Sequence, residues 1–261
     1  MGAIEIVGGA IGYLEHGAGG TPLVLLHGVG SDKSVWRPQL EHFGGKRRTI
    51  AFDYPGYGES AFRAGADRNA FAHAILHAMD ELEVEEAHVC GLSLGGVVAI
   101  AMHAAAPERC RSLILADSFA VHPEGRAIYE RSVAASREQG MRRLAESRVS
   151  ALVAAGASDT LRVELVETMA RIDPEAYALG AAAVWLADQR GRARAIACPT
   201  LVLCGSDDRI TPPELSEALK DAVPGACLVE IAGAGHLSNA EQPAIFNRVL
   251  DAFLADVEGI A

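Results

Sequence analysis

The runs Pro22–Leu26, Thr49–Asp53, Ala87–Cys90, Ser112–Ala116, Thr200–Cys204 and Cys227–Ile231 are short and β-rich. Several of them are apolar on successive residues rather than on alternate ones, the pattern of central strands covered on both faces. Helical stretches separate them: Asn69–Leu82, Leu94–Ala106 (stopped by Pro107), Pro213–Ala222 and Glu241–Ala255. Strand–helix–strand repetition of this kind predicts an α/β fold, a parallel sheet with helices on both sides. At the N-terminus, Gly8-Gly9 between Ala3–Val7 and Ala10–Leu14 reads as a hairpin.

One interval breaks the rhythm. From Val121 to Arg194 no strand-like run occurs, and four amphipathic helices are expected: Glu124–Gln139, Met141–Ala155, Asp159–Arg171 and Pro174–Gln189. A block of helices between two core strands suggests a lid. The expected division is a core of residues 1–120 and 195–261 with a helical cap at 121–194. A chain of 261 residues, half of them apolar, suffices for one well-buried domain carrying such a subdomain.

The formal charge of −11 argues against nucleic acid and anionic lipid as partners. No run reaches the ~18 apolar residues of a membrane span. The opening MGAIEIVGGAIGYLEHG lacks a basic stretch and carries Glu5 among its apolar residues, so no signal peptide is expected. Five cysteines fall singly, without CxxC pairs or metal-ligand spacing. That predicts a reducing, cytoplasmic location and no metal site. Cys90, Cys204 and Cys227 lie in apolar runs and are expected to be core residues.

Within Val89-Cys90-Gly91-Leu92-Ser93-Leu94-Gly95-Gly96, one hydroxyl stands between a strand and a helix, with glycines on either side. So tight a turn strains its central residue, and the glycines allow helix and strand to approach. The result is a G-x-S-x-G nucleophile elbow presenting Ser93. A serine needs a base. Of nine histidines, His236 follows the last strand, at the sheet edge where ligand chemistry gathers. His73, His77 and His103 fall within helices. The acid that orients His236 is expected just after the penultimate strand, at Asp208, with Asp207 and Asp117 as alternatives. Two N–H groups are expected to hold an oxyanion: that of Leu94, and that of Val29 in the His27-Gly28-Val29-Gly30 loop, which His27 steadies.

With these parts together, the chain resembles the α/β-hydrolase superfamily. Asp53-Tyr54-Pro55-Gly56-Tyr57-Gly58-Glu59-Ser60 is similar to its D-x-x-G-x-G-x-S turn. The resemblance implies an eight-stranded, mostly parallel sheet with flanking helices and a cap inserted after the sixth strand. Ser238-Asn239-Ala240-Glu241-Gln242-Pro243 after His236 resembles the S-N-x-E-Q-P signature of 3-oxoadipate enol-lactonases, as do the HGVG stretch and Arg137–Ser147. Those lactonases usually carry Arg-Gly-His-Gly where this chain has Pro55-Gly56-Tyr57-Gly58. The implied activity is a serine hydrolase acting on a small-molecule ester or lactone, without metal or organic cofactor. The alternatives are a C–C bond hydrolase of ring-cleavage diketones, a general carboxylesterase, and a receptor that binds without turnover. Trp185 is expected to wall the substrate pocket. If the substrate carries a carboxylate, one cap arginine must face inward, and sequence does not choose which. Nor does it indicate the oligomeric state.

Overall fold

The computed structural model describes residues 2–260. Its strands are β1 (Gly2–Ile6), β2 (Gly9–His16), β3 (Leu23–Leu26), β4 (Thr49–Phe52), β5 (Ala87–Leu92), β6 (Cys110–Ala116), β7 (Thr200–Gly205) and β8 (Cys227–Ile231). They form one sheet in the order β1-β2-β4-β3-β5-β6-β7-β8. β2 runs antiparallel to both its neighbours, and every other adjacent pair is parallel. The eight-stranded, mostly parallel α/β architecture is therefore the one expected.

The helices are α1 (Arg37–Gly44), α2 (Arg68–Glu81), α3 (Leu94–Ala105), α4 (Gly125–Gln139), α5 (Met141–Leu152) and α6 (Asp159–Ala170). They continue with α7 (Pro174–Trp185), α8 (Arg190–Arg194), α9 (Pro213–Ala222), the single turn α10 (Ser238–Glu241) and α11 (Pro243–Glu258). Alternate residues of one strand serve opposite layers. Val24 and Leu26 pack in the cluster containing Phe71 and Ile75 of α2 and Val97 of α3. Leu23 and Leu25 pack with Phe43 of α1 and with Phe246 and Leu250 of α11. This two-sided burial is why β3 reads as LVLL.

Helices α4 to α8 follow one another between β6 and β7. Their starts are written locally. Ser158 caps α6 through its side chain, and Asp173 caps α7, whose first residue is Pro174. Their ends are set by distant partners. α7 stops at Trp185 rather than Gln189, because Gln189 donates its backbone N–H to Ala120 O and its side chain to Val97 O. Beside it, Val121 and Asp188 form an isolated β-bridge where the chain leaves and re-enters the core. The expected helix Glu241–Ala255 is broken at Gln242, since a residue before proline avoids the helical region.

Two further expectations need correction. The first strand–turn boundary lies at Leu92, so Gly91 belongs to β5. Cys227 is exposed on the edge strand β8, while Cys90 and Cys204 are buried as expected. An edge strand lacks a neighbour on one side and its ends are less covered, so an apolar run there does not guarantee burial. Helix α1 was not anticipated; its eight residues are too short for a periodic pattern to stand out. No helix among the described residues is long and apolar enough to cross a membrane.

Candidate active site

Strand order places the site. The chain runs from β3 outward to β4, then crosses back to β5 on the other side of β3. Adjacent loops diverge at such a reversal and leave a crevice at the carboxyl ends of the strands. Leu26 pairs in register with Gly91, so the segments after β3 and β5 emerge side by side.

Ser93 turns the chain from β5 into α3 at φ 56° and ψ −111°. For a residue bearing a Cβ, that region costs on the order of 1–3 kcal/mol and persists only under restraint. The restraint is visible: Ser93 N–H donates to Ala116 O (2.8 Å), and Ser118 Oγ donates to Ser93 O (2.8 Å). A Cβ on Gly91 would overlap the backbone of Gly95, and one on Gly95 would overlap the carbonyl of Leu26. These glycines are where the elbow requires them.

The His27–Gly30 loop passes beside the serine; a Cβ on Gly28 would lie 3.5 Å from Ser93 Cβ. Among the described residues, neither Val29 N–H nor Leu94 N–H donates to a backbone or side-chain acceptor. His27 Nδ1 donates to Gly28 O (2.8 Å). Behind the loop, buried Asp53 accepts from Lys33 N–H (2.8 Å), Lys33 Nζ (2.5 Å) and Glu59 N–H (3.0 Å). The D-x-x-G-x-G-x-S turn thus braces this loop from below. Burial pulls the Lys33 ammonium down, but Asp53 and Glu59 hold it above its ordinary value.

His236 Nδ1 lies 2.8 Å from Asp208 Oδ2. The same carboxylate accepts from Ile210 N–H (2.7 Å), Thr211 N–H (2.9 Å) and Thr211 Oγ1 (2.7 Å). Burial raises Asp208, yet His236 and these donors carry it below the usual range. Burial likewise lowers His236, and the charges of Asp208 and Asp117 lift it above 6.5. Of the three acids considered from sequence, Asp208 alone bonds the imidazole. Asp207 is exposed. Asp117 accepts from Gly205 N–H (2.8 Å) and Ser238 Oγ (2.5 Å), joining the loops that carry Asp208 and His236. Burial and the nearby Asp208 push Asp117 up to about 7.

Ser93 and His236 line one crevice of about 30 Å³, together with Gly28, Val29 and Trp185. No hydrogen bond joins Ser93 Oγ to the imidazole, as is common before substrate draws such groups together. Beyond Trp185 and Arg148, which line both spaces, lies a chamber of about 710 Å³ between α4, α5 and the start of α9. Trp185 is held by stacking on Phe119 (centroids 5.7 Å apart).

Sequence reasoning missed three contributors. Thr211 supports Asp208; the signal was its place in Arg209-Ile210-Thr211-Pro212 directly after the acid. Glu241 Oε1 accepts from Gly235 N–H (2.9 Å) and Oε2 from Ala154 N–H (2.7 Å), while His236 N–H donates to Leu152 O (2.9 Å). The histidine loop is thereby tied to the C-terminal end of α5. Glu241 sits in the quoted S-N-x-E-Q-P stretch, but nothing local announced its partner Ala154. The third is Arg148. Among the described residues no group of three or more His, Cys, Asp or Glu side chains is arranged to hold a metal ion.

An eight-stranded sheet of this order, with a serine elbow after β5, an acid after β7 and a histidine after β8, defines the α/β-hydrolase class. The chain belongs to the alpha/beta hydrolase family, whose sequence profile matches residues 23–249. Among its relatives, a protein named as carbamate hydrolase RutD in Azorhizobium caulinodans is 29% identical, over 94% of this chain and 95% of that one. The 3-oxoadipate enol-lactonase 2 of Acinetobacter baylyi is also 29% identical, over 94% and 93%. A thermophilic esterase from Thermogutta terrifontis, solved with malate bound, superposes with a TM-score of 0.92 at 28% identity, over 98% and 99%.

Proposed function

We propose that this hydrolase is a serine enzyme cleaving a small-molecule ester or lactone through an acyl-enzyme. The observation that carries the reading is the Asp208–His236 pair opening onto the crevice it shares with Ser93. With Nδ1 engaged by Asp208, Nε2 is the nitrogen free to take the Ser93 proton. Ser93 attacks the carbonyl, and the N–H groups of Val29 and Leu94 receive the oxyanion; one such donor is worth ~3 kcal/mol in the transition state. His236 then protonates the departing oxygen and activates water for deacylation, with Asp208 stabilising the imidazolium. Residues 121–194 act as the cap, and Trp185 walls the acyl or ring pocket. The likeness to an enol-lactonase and an esterase supports oxygen-ester chemistry.

A fluorophosphonate probe should label Ser93, with no labelling in Ser93→Ala. Ser93→Ala and His236→Ala should each lower kcat by about 10⁴ or more while leaving thermal unfolding intact. Absence of labelling in well-folded protein would mean a binding protein without turnover. A panel of short acyl esters, enol-lactones and ring-cleavage diketones decides the bond: preference for the diketones would replace ester cleavage with C–C cleavage.

A further inference from the structure

Several arginines between Val121 and Arg194 are already engaged. Arg142 pairs with Glu167, Arg137 with Glu175, Arg171 with Asp32 and Arg190 with Asp188. Arg162 is spent on the carbonyls of Ala154, Ala155 and Ala157. Arg148 differs. It is half-buried and has no carboxylate partner, and its one polar contact is Nη1 to the hydroxyl of buried Tyr177 (2.9 Å). That bond fixes the guanidinium's direction and leaves most of its five N–H donors free. Beside it, the buried Trp185 Nε1–H has no acceptor at all. An orphaned buried donor costs about 1–3 kcal/mol, and an acceptor arriving with a ligand would recover it.

Both residues stand where crevice and chamber meet. The crevice has room for little more than one water molecule, so a substrate whose carbonyl sits at Ser93 must extend past them into the chamber. The chamber's other charged lining residues are Arg131, Arg209, Glu124 and Glu214, none of them in an ion pair. In a protein of net charge −11, this is an uncommitted cation a short reach from the reacting serine. We infer that Arg148, with Trp185 Nε1–H, forms a subsite for an anionic group on the substrate, so that the preferred ester or lactone carries a carboxylate remote from the scissile bond. Guanidinium geometry suits a carboxylate, offering paired, parallel N–H donors. The inference deepens the hydrolase reading and rests on it for the word ester; the anion site itself does not need turnover.

The experiment therefore has two arms. In the first, kcat/KM is measured for para-nitrophenyl hemiglutarate and for the length-matched neutral para-nitrophenyl valerate, with wild type, Arg148→Gln and Arg148→Lys. The anionic-to-neutral ratio should exceed one in wild type and fall roughly ten- to a hundredfold in Arg148→Gln, the range of a lost charged hydrogen bond. It should recover in part in Arg148→Lys. A wild-type ratio at or below one, or an equal loss on both esters, overturns the subsite. In the second arm, glutarate binding is measured by calorimetry in wild type, Ser93→Ala and Arg148→Gln. Binding by the first two that weakens at least tenfold in Arg148→Gln supports the site; no binding, or equal binding in all three, overturns it. Glutarate binding that depends on Arg148 in a wild type hydrolysing neither ester leaves the anion site standing and counts against the ester part of the proposed function alone.

Discussion

His236 sits under opposed influences, and the balance sets how activity depends on pH. Burial disfavours its cation, while Asp208 and Asp117 favour it more strongly. A general base must be neutral to act, so kcat/KM should rise with pH along a limb whose midpoint lies above 6.5. Removing one of the two negative charges moves that limb toward lower pH: Asp117→Asn should shift the midpoint down, and an unmoved or raised midpoint would refute the coupling. Stability responds differently. Asp117 binds its proton more tightly when folded, with a value of about 7 against an ordinary 3.8. Its contribution is therefore greatest below 3.8 and declines as pH climbs to about 7, then stays level. Urea midpoints of Asp117→Asn across that window should lose the decline. Asp208→Asn should cost about 10⁴ in kcat, because the imidazole loses the partner that fixes its tautomer. At this scale Ser93, Asp208 and His236 were legible because each lies in a short local pattern at a strand end. Arg148 was one basic residue among many, since the direction of a helix face is decided only by its neighbours in space.

Elements join at points where no side chain fits, and their tolerance to substitution follows. Gly91→Ala and Gly95→Ala place a methyl onto backbone rather than onto a yielding side chain. Each should cost about 3 kcal/mol or more, or prevent folding, as read by denaturant titration. Gly235 tests a different junction: its Cβ would stand 2.7 Å from Ala154 N. Gly235→Ala should push the end of α5 away from the histidine loop and lower kcat/KM more than it lowers Tm. The helix starts at Asp159 and Pro174 fell where the sequence reading put them, each preceded by a side-chain cap, Ser158 and Asp173. The end of α7 did not, because Gln189 is claimed by Ala120 and Val97 across the core.

For the molecule as a whole, the alternation of apolar runs with helices announced a covered parallel sheet, and the strandless interval matches the run of helices α4 to α8 between β6 and β7. The order of the strands did not follow from those runs, because β3 and β4 look alike in sequence whichever lies nearer the centre; only the structure supplies it. The structure adds a coupling between the two parts. Glu241 and the backbone of Leu152 tie the segment holding the imidazole to the end of α5. Glu241→Gln should make the Val153–Ala157 stretch more sensitive to limited proteolysis and lower kcat/KM together. Under the proposed mechanism this tie would act as an interlock: any motion that lifted that corner would also displace the imidazole proposed as proton acceptor, so turnover would require the corner to be seated.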